Sequence, residues 1–272
     1  MNRPVVLLEL MRAHSAAGAA LAVWLGARLA GASWASWWLL PMLVAFLLSA
    51  AGNAFNDAND AAIDAINRPQ RPIPRGSATP GQARRLALAC AGLALILALP
   101  FGVASSAGTV AAITLLFLYT THLKSIPLLG NTVVGLLTGM AVGYGALLAN
   151  NIPAVLLPAS SLGLLFGGRE LLKTIHDLPG DRANAIRTVA TVAGPHVALL
   201  VASLCFTVAI LFLAVWATTR PSAWPVPWLA LFVSLSTVVP LWHTPEEPRA
   251  VGRALRRSKA LGLAIMLVLS VV

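Results

Sequence analysis

Residues 39–76 read LLPMLVAFLLSAAGNAFNDANDAAIDAINRPQRPIPRG. The first half is uncharged and apolar. The second carries Asp57, Asp60 and Asp64, then Arg68, Arg71 and Arg75 set among prolines. A bilayer core takes about 20 apolar helical residues to cross, so the first half reads as a membrane span. The polar half is what that span delivers to one membrane surface.

The rest of the chain fits the same reading. Of 272 residues, 58% are hydrophobic and only 10% charged, and the mean hydropathy is +0.81. A soluble domain carries about a quarter charged residues. Apolar runs place nine spans, at 13–30, 35–58, 84–103, 106–122, 128–148, 153–175, 188–217, 225–243 and 255–272. Nothing alternates with period two over enough strands for a barrel. The expected architecture is one all-α domain over 1–272, a polytopic membrane bundle of about nine transmembrane helices around a central cavity. Glu9 and Arg28 fit a retained first helix better than a cleaved signal segment. Cys90 and Cys205, in separate apolar runs, read as small buried hydrophobes.

The formal charge is +10. In a soluble chain that would suggest nucleic acid, but topology explains it here, and no nucleic-acid partner is expected. With the N-terminus inside, every basic residue except Arg28 and Arg220 falls on the cytoplasmic side, which sets N-in, C-out in the cytoplasmic membrane. All nine acids fall on that side too. The topology rule is nearly indifferent to acids, so a one-sided set of carboxylates points to a binding site.

Asn56, Asp60 and Asp64 recur at i, i+4 and i+8. At about 100° per residue they drift only ~80°, so they line one helix face, with Asp57 at its edge. Asp177 and Asp181 repeat the i, i+4 spacing after the sixth span. Like charges on one face repel, and a hard cation relieves that. Mg²⁺ takes oxygen ligands, usually one or two carboxylates plus substrate phosphates. Arg68, Arg71, Lys173 and Arg182 lie close behind the aspartates and suit phosphate oxygens. Together these groups describe a diphosphate clamp.

At this point the residues match a known pattern. NDANDAAID followed by NRPQRPIPRG resembles the first signature of the UbiA superfamily of intramembrane prenyltransferases. YTTHLKSIPLLGN is similar to that family's tyrosine-to-lysine stretch, with Tyr119 and Lys124 in register. RELLKTIHDLPGDR resembles the second aspartate motif, and ELMRAHS the first-helix segment carrying Arg12. The resemblance implies a bundle with a membrane-open cavity and an isoprenyl diphosphate held with Mg²⁺ under a cytoplasmic cap. Carried over by position, Asn56, Asp60 and Asp64 hold one metal and Asp177 and Asp181 the other. Arg12, Arg68, Arg71, Tyr119 and Lys124 would meet the diphosphate. Many members have an acid where this chain has Thr174. The second motif is similar to the archaeal-lipid branch, which prenylates geranylgeranylglyceryl phosphate.

On this reading a small acceptor, a glyceryl-phosphate-like alcohol, is alkylated at the allylic carbon. Lys173, Thr174 and Arg182 are the acceptor-binding candidates, because the bases around the second pair exceed what one diphosphate needs. His14 and His176 are candidates for taking the acceptor proton, but read first as structural. The run Arg253–Lys259 reads as topology and lipid-surface charge. Three rivals stay open: a terpene cyclase sharing the ionisation step, an aromatic prenyltransferase, and an ion-coupled lipid transporter. Transporters place their ions near midplane in broken helices, whereas these acids sit at helix ends.

Overall fold

A computed structural model describes residues 3–245 and 247–270, and every regular element among them is helical. The N-terminal part comprises α1 (Arg3–Met11), α2 (Ala13–Leu29), α3 (Leu39–Asn59), α4 (Ala61–Asn67), α5 (Pro80–Ala98) and α6 (Val103–Thr121). Then follow α7 (Leu129–Leu148), α8 (Leu156–His176), α9 (Leu178–Ala183), α10 (Val189–Ala193), α11 (Pro195–Thr218), α12 (Pro225–Val238) and α13 (Pro248–Leu269).

Seven helical stretches among these are long and apolar enough to cross a bilayer, and α1 with α2 makes an eighth if the bent pair is one span. That pair bends by 53° at Arg12, which sits in the left-handed region at φ 47°. The ninth expected span, 255–272, corresponds to α13, a helix of 22 residues whose first twelve carry four arginines and Lys259. Its last two residues, and Glu246 before it, lie outside the described residues. The expected span 188–217 is two helices. Gly194, at φ 89°, and Pro195 separate them, since proline lacks the N–H that would continue the ladder.

Helix α2 packs on α3 and α7, α8 packs on α7 and α11, and α13 closes the ring by returning to α12, α8 and α2. Lipid offers no hydrophobic drive for helices to associate, so close van der Waals contact through small residues has to do it. A methyl on Gly26 would lie 1.8 Å from the Val142 carbonyl oxygen, and one on Gly145 would lie 1.9 Å from that of Val23. The α2 and α7 backbones touch at both levels. Leu200, Leu204 and Leu211 are exposed along α11, a stripe facing the hydrocarbon.

The tryptophans divide. Trp34, Trp37, Trp224 and Trp228 are exposed, as interface anchors should be. Trp38 and Trp216 are buried instead. Trp38 stacks on Trp37 and donates to the Ser33 carbonyl, and the Arg220 guanidinium lies over the Trp216 ring.

The ring of helices encloses a cavity of about 1320 Å³, lined by α2, α3, α6, α7, α8 and α13. A second chamber of about 80 Å³ adjoins it at the aspartate end. Asn56, Arg68, Arg71, Tyr119, Glu170 and Lys173 belong to the walls of both.

Candidate active site

Both aspartate motifs are built as broken helix ends. Helix α3 stops at Asn59, Asp60 is the non-helical joint, and α4 resumes at Ala61. The ladder nevertheless runs through: Asp60 N donates to Asn56 O at 2.9 Å, Asp64 N to Asp60 O at 2.7 Å, and Arg68 N to Asp64 O at 2.8 Å. Asn56, Asp60, Asp64 and Arg68 therefore keep one face despite the break. Helix α8 ends at His176 and α9 begins at Leu178, with Pro179 in its first turn. There too Asp177 N donates to Lys173 O and Asp181 N to Asp177 O, so the acidic pair stays aligned.

Asn67 locks the two motifs together. Its side chain donates to the Asp177 carbonyl and accepts from the Gly180 N–H, both at 2.9 Å. A methyl on Gly180 would lie 2.4 Å from Asn67 Nδ2, so only glycine admits this approach.

Ion pairs knit the rest. Arg68 bonds Asp177 at 2.5 Å and lies 3.6 Å from Asp64. Arg71 bonds both Asp57 and Asp64, Arg12 bonds Asp57, and Lys124 bonds Asp60. Asn56 donates to Asp60 at 2.8 Å. Burial works against ionising Asp177, but the His176 hydrogen bond and the Arg68 charge outweigh it and hold the carboxyl down at about 2. Asp181 has no ion-pair partner within 4 Å among the described residues. Burial, and then the charge of Asp177, push it up to about 7.

The small chamber thus gathers Asn56, Asp60, Asp64, Asp177 and Asp181 with Arg68, Arg71, Lys124 and Tyr119. Arg12 lines the large cavity only. Of the acceptor candidates, Lys173 lines both spaces and pairs with Glu170 at 2.8 Å. Thr174 lines the small chamber, with its hydroxyl donated to Leu171 O. Arg182 is exposed and lines neither, because α9 turns its side chain away. The run Arg253–Lys259, expected to serve topology and lipid-surface charge, divides instead: Arg256 and Lys259 line the large cavity.

Four further residues carry no role in the motif reading. Asp57 is 3% exposed and holds both Arg12 and Arg71. Its i, i+7 relation to Asp64 puts them within ~20° of one face, which was the available signal. Glu170 stands in the same relation to Asp177. Asn67 and Lys259 had no such signal, since each acts through a partner distant in sequence.

No three His, Cys, Asp or Glu side chains converge closely enough among the described residues to hold a metal alone. In the two metal sets that the resemblance implies, Asp60, Asp64 and Asp177 are each paired here with lysine or arginine. The donors are all oxygens, however, and the buried Asp181 lacks a cation. Such a set suits Mg²⁺ held jointly by one or two carboxylates and substrate phosphate oxygens.

The description "UbiA prenyltransferase family" belongs to the family model that matches residues 19–267. Digeranylgeranylglyceryl phosphate synthase of Sulfolobus acidocaldarius is 29% identical over 271 residues, 96% of each chain. That of Methanopyrus kandleri is 39% identical over 198 residues, 72% of each chain. Among solved structures, a UbiA homolog from Aeropyrum pernix K1 superposes with a TM-score of 0.80 over 95% of this chain and 96% of that one, at 18% identity. A UbiA homolog from Archaeoglobus fulgidus, bound to GPP and Mg²⁺, gives 0.74 over 98% and 100%, at 15% identity.

Proposed function

The chain belongs to the UbiA prenyltransferase family, and on that premise we propose that it transfers the prenyl group of an isoprenyl diphosphate to the free hydroxyl of a glyceryl phosphate ether. One observation carries this: a polar chamber of about 80 Å³ shares a wall with a cavity of about 1320 Å³. A diphosphate fits the first and its tail the second. The relatives named digeranylgeranylglyceryl phosphate synthase favour a phosphorylated acceptor over an aromatic one.

In the reaction the allylic C–O bond breaks with its electron pair going to the diphosphate. The acceptor oxygen forms the new C–O bond and gives up its proton. Arg68, Arg71 and Lys124, now paired with Asp177, Asp64 and Asp60, re-partner to the leaving group. Its charge grows in the transition state, so these contacts lower the barrier rather than merely bind. Bound Mg²⁺, with Asp60, Asp64, Asp177 and Asp181 as its protein ligands, would supply further charge neutralisation on the diphosphate. The apolar walls keep water from the allylic cation and strengthen each electrostatic contact. Tyr119, on α6, lines both spaces, and on this reading its hydroxyl meets the diphosphate.

Integral membrane placement follows from the apolar helices and the family. The side follows from charge: the aspartate cap and N-terminus are cytoplasmic, with the C-terminus outside.

The test is purified protein with Mg²⁺ and a panel of prenyl diphosphates, with and without geranylgeranylglyceryl phosphate or hydroxybenzoate, with products identified by mass. Prenylated phosphate ether is expected. A hydrocarbon product in the absence of acceptor would establish a cyclase, and prenylated aromatic a quinone-type enzyme.

A further inference from the structure

The large cavity carries a second set of basic groups that the diphosphate chamber does not use. Gly252, Leu255, Arg256, Lys259, Leu263 and Met266 of α13 all line it, at the three- and four-residue spacing of one helix face. Arg253 and Arg257 are exposed and line neither space. The basic half of α13 thus splits by face, and topology accounts only for the outer residues.

On the inner face positive charge is in surplus. Lys259 Nζ bonds the Ser15 hydroxyl at 3.0 Å, and neither Lys259 nor Arg256 has a carboxylate within 4 Å among the described residues. Across the cavity, Arg169 must share Glu170 with Lys173, and its buried Nε has no hydrogen-bond partner. The charges of Arg169 and Arg12 both act on Lys259, and those of Lys259 and Arg12 on His14. Asp57, the carboxylate that Arg12 bonds, is already shared with Arg71. Lys259 and Arg169 are only partly exposed, and partly buried positive charges gathered on one wall are costly unless an anion completes them.

On the prenyl-transfer reading the diphosphate occupies the small chamber, apart from this cluster. Arg169, Arg256, Lys259 and His14 line the large cavity and are absent from the walls of the small one. Glu170, whose residue belongs to both walls, stands between the two anion sites.

We infer that the cluster of Lys259, Arg169, Arg256 and His14 binds the phosphate monoester of the acceptor. This deepens the prenyl-transfer reading and rests on it. The acceptor then enters with its tail along the apolar cavity and its free hydroxyl presented near Glu170, toward the diphosphate chamber. Positioning of this kind replaces a bimolecular encounter by a held geometry. A bilayer phospholipid headgroup presents the same phosphate ester chemistry, so the experiment must separate the two sources.

The experiment is equilibrium binding of radiolabelled geranylgeranylglyceryl phosphate, and of geranylgeranylglycerol, to the full chain in phosphatidylcholine nanodiscs without Mg²⁺ or prenyl diphosphate. The wild type should prefer the phosphate about tenfold or more, as loss of a charged hydrogen bond implies. Lys259→Ala should remove most of that preference, Lys259→Arg should restore part of it, and Arg253→Ala should change nothing. Rescue by arginine excludes simple misfolding of the alanine variant. An unchanged preference in Lys259→Ala would overturn the inference. So would an equal loss of affinity for a prenyl thiolodiphosphate measured with Mg²⁺. Displacement of the wild-type signal by phosphatidylglycerol in the nanodisc, lost in Lys259→Ala, would assign the cluster to bilayer lipid and also overturn it. Selective binding without any prenyl transfer would remove the transfer reading and leave the cluster standing. Transfer to the phosphate-free alcohol at equal kcat/KM would do the reverse.

Discussion

Arg68 Nη2 lies 2.5 Å from Asp177 Oδ1, joining the loop after the first aspartate motif to the second motif 109 residues on. The same guanidinium stands 3.6 Å from Asp64. One arginine thus bridges the two acidic groups between which the proposed diphosphate would sit. Both ends are largely buried, which makes the pair costly to break from one side only. An incoming diphosphate with its cations can exchange partners without leaving either charge stranded.

Asp60, Asp64, Asp177 and Asp181 should therefore behave as one unit. Each single change to Ala should lower prenyl transfer by about a hundredfold or more, and Asp60→Ala/Asp181→Ala should cost little more than the worse single change. Product formation under saturating substrates is the measurement, with size-exclusion profiles reporting the fold. Normal turnover of any one variant, or of the wild type after chelation of Mg²⁺, would remove that residue or the metal from the mechanism.

Asp181 sets a pH dependence. Burial and the neighbouring Asp177 charge raise its carboxyl to about 7, so below 7 it carries a proton that a cation must displace. Because the proton competes with the cation, Mg²⁺-dependent binding of a prenyl thiolodiphosphate should weaken as pH falls through 7, by about tenfold per unit for one displaced proton. Above 7 the affinity should level off. Asp181→Asn should abolish this slope, and a slope that survives in that variant places the titrating group elsewhere.

The Asn67–Gly180 contact should matter although neither residue lines either space. With 2.4 Å between a Gly180 methyl and Asn67 Nδ2, Gly180→Ala must push the amide off the second motif. Transfer should fall at least tenfold while the helical circular dichroism stays unchanged, since a displacement of about 1 Å in positioning costs that much or more. Asn67→Ala should do the same, and the double variant should be no worse than either. Full additivity would show that the two residues act separately.

Cavity depth should select chain length. Along α7, Val134 to Leu147 line the large cavity, a run of about 20 Å at 1.5 Å per residue. Gly143 lies on that wall, and a methyl there would meet nothing within 4 Å. Gly143→Leu should fill the space rather than disturb packing. The kcat/KM ratio of a ten-carbon to a twenty-carbon prenyl diphosphate should then rise about tenfold. An unchanged ratio would mean the tail runs elsewhere.

Much of this molecule was legible from local pattern. Hydropathy over about 20 residues marks a span wherever it falls, and the i, i+4 spacing of Asn56, Asp60 and Asp64 fixes a shared face because a helix repeats every 3.6 residues. The face survived even the joint at Asp60, since the backbone ladder passes through it. Both properties depend on near neighbours in the chain, so the sequence by itself determined an all-helical membrane bundle and two acidic helix ends on it. Arg12, Lys124 and Arg68 reach Asp57, Asp60 and Asp177 across 45 to 109 positions, where one-dimensional spacing says nothing. The tertiary structure alone decided which arginines Asp57 holds, that Asn67 clamps Gly180, and that Arg182 points out. It also decided that Lys259 points in, because the last helix folds back against α2 and α8. The physical reason is that helix periodicity sets which residues share a face, while packing of that face against distant helices sets what it meets.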